Sequence, residues 1–167
     1  MIVRSQNVFF HRVNMTLRRW LLIGYYKFIF GKKVIFKRGF RSRGCFSLFV
    51  TDKAQIVFGK NVFVNKGLSI SAQKSVIIGD NSILGENVKI YDQNHRFRNK
   101  KVTISKQGFN TSEVSIGENC WIGSNVTILK GVHIGNNSIV GANCLIYKDI
   151  PENSIVKLHE ELTITTY

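Results

Sequence analysis

A six-residue period runs through the C-terminal half of the chain and constrains its fold more than any other feature. An aliphatic residue recurs at every sixth position, and glycine often follows it directly. The aliphatic series comprises Ile116, Ile122, Ile128, Ile134, Val140 and Ile146. If aliphatic residues fell at random on about a quarter of positions, six in register would occur roughly once in four thousand trials. The period is therefore a hexapeptide repeat.

The same register returns upstream, less regularly. It appears in the Ile-Gly and Leu-Gly pairs at 78–79 and 84–85, and more weakly between Phe58 and Ile70, while residues 96–113 interrupt it. Six residues match neither a helix nor a simple alternating strand, but they suit one short strand and one turn on each wall of a coil. Three such walls close a triangular coil of 18 residues, and coils stack ~4.8 Å apart. The sequence predicts an all-β fold, a parallel β-helix of about six coils.

Asparagine occupies the expected corners of these coils. Asn81, Asn87, Asn119, Asn125 and Asn137 each follow an acidic residue, serine or asparagine between two aliphatic positions. Asparagine tolerates the left-handed backbone conformation that a tight bend requires. We therefore expect these residues at the turns and the aliphatic residues in the core.

The repeat divides the chain into three zones. Residues 1–33 form a basic and aromatic segment, residues 34–156 form the β-helix with a protruding loop at 96–113, and residues 157–167 form a C-terminal tail. An amphipathic helix is expected from about residue 14 to residue 30, with Asn14 as its N-cap. This helix either covers the open end of the β-helix core or lies in a membrane interface.

The positive charge of the chain is unevenly distributed. The chain carries 24 Lys and Arg against 10 Asp and Glu, a formal net charge of +14, and no acidic residue precedes Asp52. Such asymmetry indicates an anionic partner, either membrane phospholipid, an acidic glycan or nucleic acid, or else only a solvated basic surface. No nucleic-acid-binding motif accompanies it, so no nucleic-acid partner is predicted.

Cysteine usage and hydropathy indicate the compartment. The three cysteines, Cys45, Cys120 and Cys144, are odd in number and lack a CxxC spacing, which favours reduced thiols. The apolar stretch at 20–30 is too short to cross a bilayer, and no signal-peptide cleavage site follows it. A cytoplasmic protein is expected, with peripheral contact at the inner face of the membrane through the N-terminus as an open alternative.

Three motifs identify a family. The segments IGENCWIG at 116–123, VGAN at 140–143 and YKDIP at 147–151 resemble the hexapeptide-repeat acyltransferases, in their galactoside, maltose and polysaccharide O-acetyltransferase branch. The resemblance covers about residues 56–156. It implies a left-handed coil, an exception to the right-handed rule for parallel strands. It also implies a homotrimer with active sites in clefts between neighbouring chains, and acetyl-CoA as the acyl donor.

The resemblance assigns the acceptor side of the site. His95 stands where the family has its general base, which takes the proton from an acceptor hydroxyl as that oxygen attacks the thioester. An imidazole suits this role because it titrates near neutral pH. Asn65 matches the asparagine that hydrogen-bonds the sugar, and Trp121 matches the tryptophan that shapes the cleft. Asp92, also placed on the acceptor side, or a backbone carbonyl would orient the His95 ring.

The resemblance also assigns the donor side. The backbone N–H of Ser124 is the oxyanion donor, and small residues beside it let the pantetheine arm approach the backbone. Tyr147 and Lys148 match the site of the cofactor 3′-phosphate, for which lysine provides a flexible point charge. The implied donor-binding residues are Gly123, Ser124, Gly141, Ala142, Tyr147 and Lys148. The chain departs from the family at Lys130, where Pro is common, and at 156–159, where VKLH replaces Gly-x-Pro-Ala.

The sequence therefore predicts an acetyl-CoA-dependent O-acetyltransferase that acts on a sugar hydroxyl of a surface polysaccharide or its precursor. The basic loop 96–113 favours an anionic acceptor, unless it is only a solvated loop. No histidine has a set of partners typical of a metal site, so no metal is predicted. Two alternatives remain at this point: an N-acetyltransferase of the same fold that acts on an amino sugar, and a non-enzymatic module that binds anionic glycan or lipid.

Overall fold

The computed structural model describes residues 16–17, 20–159 and 165, and within them the chain forms eighteen strands. Short 3-10 helices lie at Gly31–Lys33 and Ile104–Lys106, and residues 20–30 are helical. The strands are β1 Val34–Phe36, β2 Arg41–Ser42, β3 Ser47–Val50, β4 Gln55–Phe58, β5 Phe63–Val64, β6 Ser69–Ala72, β7 Ser75–Ile78, β8 Ile83–Leu84, β9 Lys89–Tyr91, β10 Gln93–His95, β11 Phe109–Thr111, β12 Val114–Ile116, β13 Trp121–Ile122, β14 Thr127–Ile128, β15 His133–Ile134, β16 Ile139–Val140, β17 Leu145–Ile146 and β18 Ile155–Val156.

Three parallel sheets form the walls of a prism. The first sheet contains β1, β4, β7, β12 and β15, the second contains β2, β5, β8, β13, β16 and β18, and the third contains β3, β6, β9, β14 and β17. Apart from β10 and β11, the strands enter the three sheets in turn, with Ile150 bridging to Ile134 at the first-sheet position before β18. The chain thus winds through about six turns of a left-handed coil. The predicted all-β fold, a left-handed parallel β-helix of hexapeptide repeats, is confirmed.

The core consists of columns of aliphatic side chains. In the first sheet Phe58, Ile78, Ile116 and Ile134 stand in register, and each is at most 2% exposed. The residue four positions after each core aliphatic, such as Cys120, also points inward and is buried. Burying one such aliphatic side chain contributes about 1.5–3 kcal/mol, so each coil of the repeat adds to the stability of the core.

The corners use asparagine as predicted. Eight asparagines have φ between 53° and 63°, among them Asn87, Asn125 and Asn143, which stack on successive coils. The Asn87 side-chain amide donates to Asn125 at 3.3 Å, and that of Asn125 donates to Asn143 at 3.0 Å. This ladder gives hydrogen-bond partners to the side-chain amides that the left-handed turns bring together.

The N-terminal helix covers the first coil. Ile23 and Tyr26 are buried, and the Tyr26 ring stacks on Phe46 with the centroids 5.3 Å apart. Its hydroxyl donates to the Phe46 carbonyl at 2.7 Å and accepts from the Leu48 N–H at 3.2 Å, while burial raises the pKa of this hydroxyl. Capping of the core is therefore observed. The predicted N-cap Asn14 lies outside the described residues.

The interruption of the repeat forms a projecting ribbon. Strands β10 and β11 pair in antiparallel fashion after β9, and the 3-10 helix at Ile104–Lys106 lies between them. The chain re-enters the coil at β12, which pairs with β7 as the period requires. The ribbon therefore leaves the prism at the corner between the third and first sheets.

Candidate functional site

A groove runs along the outer face of the second sheet and the corner that follows it. It is a cavity of about 590 Å³. Six of the predicted site residues line it, namely Asn65, Trp121, Gly123, Ser124, Gly141 and Ala142. They meet because the six-residue period places equivalent positions of coils two, four and five above one another.

Two backbone N–H groups in this groove are available to a ligand. On equivalent positions of lower coils, the Lys66 N–H donates to the Asn65 side chain at 3.0 Å, and the Glu86 N–H donates to Ser124 Oγ at 3.2 Å. Over the described part of the chain, the N–H groups of Ser124 and Ala142 have no such acceptor. The groove thus presents two donors of the kind that bind a carbonyl oxygen or an oxyanion.

Glycine keeps one of these donors accessible. A Cβ at Gly123 would lie 2.6 Å from the Ala142 nitrogen, which no real contact tolerates. Glycine at this position therefore leaves the space in which the backbone of the next coil can be approached.

The walls of the groove are apolar. Trp121 is 55% exposed and stands in register between Ile83 on the coil below and Ile139 on the coil above. Asn65 uses its side-chain oxygen to hold the Lys66 N–H, while its Nδ2 donates to no group among the described residues. The Asn65 amide is thus anchored in a turn and still has a donor for a ligand.

Sequence reasoning missed several groove residues. The exposed Ile83 and Ile155 contribute apolar wall, and Lys157 places a cation at the end of the groove. The signal was present, because residues directly before the core aliphatic must point outward from the sheet. Lys157 falls in the stretch that departs from the family pattern, so no motif indicated it.

His95 lies on another edge of the prism. It ends β10, is exposed, and its ring lies 4.3 Å from that of Phe109, its partner in the ribbon, at an angle of 39°. Neither ring nitrogen has a hydrogen-bond partner within the described residues. The aromatic neighbour therefore orients the imidazole and leaves both nitrogens available.

The role predicted for Asp92 is wrong. Asp92 is fully buried, and its carboxylate accepts hydrogen bonds from the backbone N–H groups of Gln73, Lys74 and Ser75 at 2.6–3.0 Å. A carboxylate enclosed in this way neither contacts an acceptor nor orients His95. It closes the corner at which the ribbon leaves the coil, because it provides one acceptor for three backbone N–H groups.

Tyr147 and Lys148 lie outside the groove. Both are exposed at the corner after the third sheet, and the Lys148 Nζ lies 5.7 Å from the centre of the Tyr147 ring. This is the same corner of the prism as that of His95, two coils higher. The described chain therefore carries the predicted residues in two groups, on two different edges.

The ribbon forms a cationic pocket beside His95. This cavity of about 660 Å³ is lined by Arg96, Arg98, Lys106 and Asn110, among others. The Arg96 Nε donates to Asn110 Oδ1 at 3.1 Å, and no acidic residue occurs between positions 93 and 112. Such a pocket favours an anionic ligand.

The described residues contain no group of three His, Cys, Asp or Glu side chains placed to hold a metal ion. Of the cysteines, Cys45 is exposed. Cys120 and Cys144 are buried, and burial raises the pKa of the Cys120 thiol. A thiol in that state is a poor nucleophile.

The fold and the groove define the class of protein, one built from hexapeptide coils with a groove along one face. Comparison with known proteins agrees with this assignment. Residues 113–148 match the family model described as bacterial transferase hexapeptide (six repeats). The galactoside O-acetyltransferase of Escherichia coli K12 is 38% identical over 103 residues, which cover 61% of this chain and 49% of that protein. The galactoside O-acetyltransferase of Lactococcus lactis is 34% identical over 99 residues, which cover 59% and 46%.

A solved structure of galactoside acetyltransferase in complex with coenzyme A superposes on the chain with a TM-score of 0.58. It is 35% identical, and the match covers 65% of this chain and 53% of that one. The resemblance to hexapeptide-repeat acyltransferases, in their O-acetyltransferase branch, is thereby confirmed. The chain spans about half the length of the relatives it matches.

Proposed function

We propose that this protein is an acetyl-CoA-dependent O-acetyltransferase that acts on a sugar hydroxyl of a surface polysaccharide or its precursor. The observation that carries the proposal is the pair of unpaired backbone N–H groups, of Ser124 and Ala142, in an apolar groove beside Asn65. The related galactoside acetyltransferase binds coenzyme A, which supports a thioester ligand for this groove.

The donor fits the groove by its chemistry. The pantetheine arm is a narrow chain with amide carbonyls, and it would run past Gly123 and Gly141 with the Ala142 N–H as a donor. The Ser124 N–H would face the thioester carbonyl. Lys157 at the groove end and, from the edge of a neighbouring copy, Lys148 with Tyr147 beside it are the cations that would meet phosphate groups.

The transfer would proceed directly from donor to acceptor. The free imidazole nitrogen of His95 takes the proton of the sugar hydroxyl as that oxygen attacks the thioester carbonyl. The Ser124 N–H stabilises the negative charge on the carbonyl oxygen, a contribution worth about 3 kcal/mol in such sites. The C–S bond then breaks, the sugar ester forms, and the proton passes from the imidazole to the leaving thiolate.

A homotrimer would bring the two halves of this site together. Within one chain, the groove and His95 lie on different corners of the prism, separated by the third sheet. Three parallel prisms around an axis can place the His95 edge of one copy against the groove of the next. The acceptor would then lie between copies, with Asn65 and Trp121 on one side and His95 on the other.

The acceptor class follows from charge. The pocket lined by Arg96, Arg98 and Lys106 lies next to His95 and favours a sugar that carries carboxylate or phosphate. A nucleotide sugar or a lipid-linked glycan would satisfy this requirement. We propose a cytoplasmic location, and peripheral contact at the inner face of the membrane stays an open alternative.

The experiment measures acetyl-CoA turnover with a panel of nucleotide sugars and acidic oligosaccharides. The His95→Ala variant should lose about 10²–10⁴ in kcat, because general-base catalysis contributes that much. His133→Ala is the matched control, since His133 is also exposed but bonds to Ser115 at 2.7 Å. Unchanged turnover in His95→Ala would remove the proposed base. Mass spectrometry and alkaline lability of the product distinguish an ester from the amide of an N-acetyltransferase.

A further inference from the structure

The capping helix is apolar on two sides. One stripe, with Ile23 and Tyr26, is buried on the first coil. The opposite stripe, which we call the outer stripe, consists of Leu21, Tyr25, Phe28 and Ile29, spaced i, i+4, i+7 and i+8 along one face. All four are exposed, Leu21 to 65% and Phe28 to 87%. A helix that only capped the core would carry polar residues on this face.

The sequence around and after the outer stripe is rich in basic residues and contains no acidic residue. Between residues 20 and 43 the basic residues are Lys27, Lys32, Lys33, Lys37, Arg38, Arg41 and Arg43, and no acidic residue occurs there. Over the described ranges, Lys33 forms the one ion pair of this group, with Asp52 at 2.6 Å. The other six form no ion pair among the described residues, although Arg41 lies over the Phe63 ring at 6.0 Å.

We propose that the outer stripe is a membrane-docking surface that enters the interface of a bilayer containing anionic phospholipid. Aliphatic and aromatic side chains would occupy the boundary between headgroups and acyl chains, where tyrosine is favoured. The neighbouring lysines and arginines would meet lipid phosphates. The helix would lie in the plane of the interface, and the search of the described residues finds no helix of the length and apolarity that crossing a membrane requires.

Charge complementarity favours an anionic bilayer over another apolar partner for the outer stripe. A second copy of the chain would bring an equally basic surface against the stripe, so the like charges would oppose contact. On the proposed homotrimer, on which this step rests, three outer stripes lie at one end of three parallel prisms. One molecule would then engage a flat anionic surface at three points, which raises the apparent affinity.

The test is co-sedimentation of the full chain with vesicles. Vesicles of phosphatidylcholine with about one third phosphatidylglycerol should bind the wild type, and the double variant Leu21→Glu with Phe28→Glu should bind at least about tenfold less. The matched control is Leu158→Glu, because Leu158 is also exposed but lies beyond the last coil, at the far end of the prism. Its binding should equal that of the wild type.

A second variant tests the charges. Lys27→Glu with Lys32→Glu should lower binding to the anionic vesicles about tenfold or more, and pure phosphatidylcholine vesicles should bind the wild type weakly. Circular dichroism and thermal unfolding establish that each variant is folded. Wild-type levels of binding in the Leu21/Phe28 variant, or no binding by the wild type, would overturn the proposal. A change of oligomeric state in that variant alone would assign the stripe to a contact between copies instead.

Acetyl transfer to a soluble sugar separates this inference from the proposed enzyme. The outer stripe lies away from the groove and from His95, so the vesicle-binding variants should keep full turnover. Vesicle binding without any acetyl transfer would leave the docking surface in place and reject the acetyltransferase.

Discussion

The two edges of the prism that carry the proposed site are built in opposite ways. The groove edge is a product of the repeat, because each coil places an equivalent residue directly above that of the coil before it. Gly123 and Gly141, for example, occupy the same position on successive coils. The His95 edge exists only because the repeat stops there and a ribbon leaves the coil. In the proposed site, the regular coils would thus provide the surface for binding, while the interruption would provide a single reactive group.

In the proposed trimer, this difference explains why one chain would be insufficient. The ribbon leaves the coil at the next corner, so it interrupts neither the groove nor the columns of aliphatic residues beneath it. His95 of one copy would then meet the groove only across a boundary between copies.

The prediction with the largest expected effect tests whether the groove and the His95 of one site come from different copies. His95→Ala and Ser124→Pro should each be nearly inactive alone. Trimers assembled from an equal mixture of the two variants should recover about a quarter of wild-type activity, because about one site in four then combines an intact imidazole with an intact groove. The measurement is turnover after joint refolding of the two variants. A mixture as inactive as its components would mean that each site lies within one chain.

Removal of one groove donor should have the next largest effect. Ser124 precedes Asn125, whose φ is 60°, in a turn whose first central position accepts proline. Ser124→Pro deletes the N–H, and kcat should fall about 10²–10³-fold in a variant that circular dichroism shows to be folded. The KM for acetyl-CoA should change much less, because the deleted donor acts on the charge that develops in the transition state.

The controls for this variant come from the same fold. Glu152→Pro makes the same change before Asn153, which has φ 60°, at the corner between the first and second sheets, away from His95 and from the two groove donors, and should retain full activity. Ser124→Ala removes only the hydroxyl that holds the Glu86 N–H. Equal losses in Ser124→Ala and Ser124→Pro would assign the effect to the hydroxyl rather than to the backbone donor.

The sequence predicted the groove edge better than the His95 edge, for a physical reason. A period read along the chain fixes which positions share a wall, so the aliphatic columns and the asparagine corners were predictable from the repeat alone. The break has no periodicity, and only the family resemblance indicated His95 there. The burial of Asp92 could not be predicted, because a carboxylate next to a break is equally compatible with a site and with a corner that needs an acceptor.

The core of the first coil also could not be predicted from the six-residue period. Its core positions hold aromatic residues, and Phe36 stacks on Phe58 with centroids 5.0 Å apart, while Phe40 and Phe46 pack at angles beside them. Larger rings close the narrow end of the core beneath the capping helix, where an aliphatic column has no further coil to continue into. The register of the aliphatic residues therefore weakens at the point where the fold ends.

The corrected role of Asp92 gives the third prediction, which concerns stability. Asp92→Ala leaves three backbone N–H groups at the ribbon corner without an acceptor, so the free energy of unfolding should fall by about 3 kcal/mol or more. Asp149→Ala is the matched control, because that exposed carboxylate accepts a single N–H, from His133 at 2.8 Å, and should cost about 1 kcal/mol. Denaturant unfolding measures both. A selective loss of kcat in Asp92→Ala at unchanged stability would instead restore its role beside His95.

The smallest expected effect concerns how firmly the ribbon orients the His95 imidazole. The groove differs, because a ladder of backbone hydrogen bonds holds it in place. The ring of Phe109 is the one aromatic contact of His95 among the described residues, and such pairs contribute about 0.5–1.5 kcal/mol. Phe109→Leu should therefore lower kcat about two- to tenfold and leave the KM for acetyl-CoA unchanged. Phe109→Tyr, which keeps the ring, should restore the rate, and Ile104→Ala, elsewhere on the ribbon, should not change it. If both Phe109 variants behave like the wild type, the neighbouring copy rather than the ribbon orients His95, and the two edges are less independent than their construction indicates.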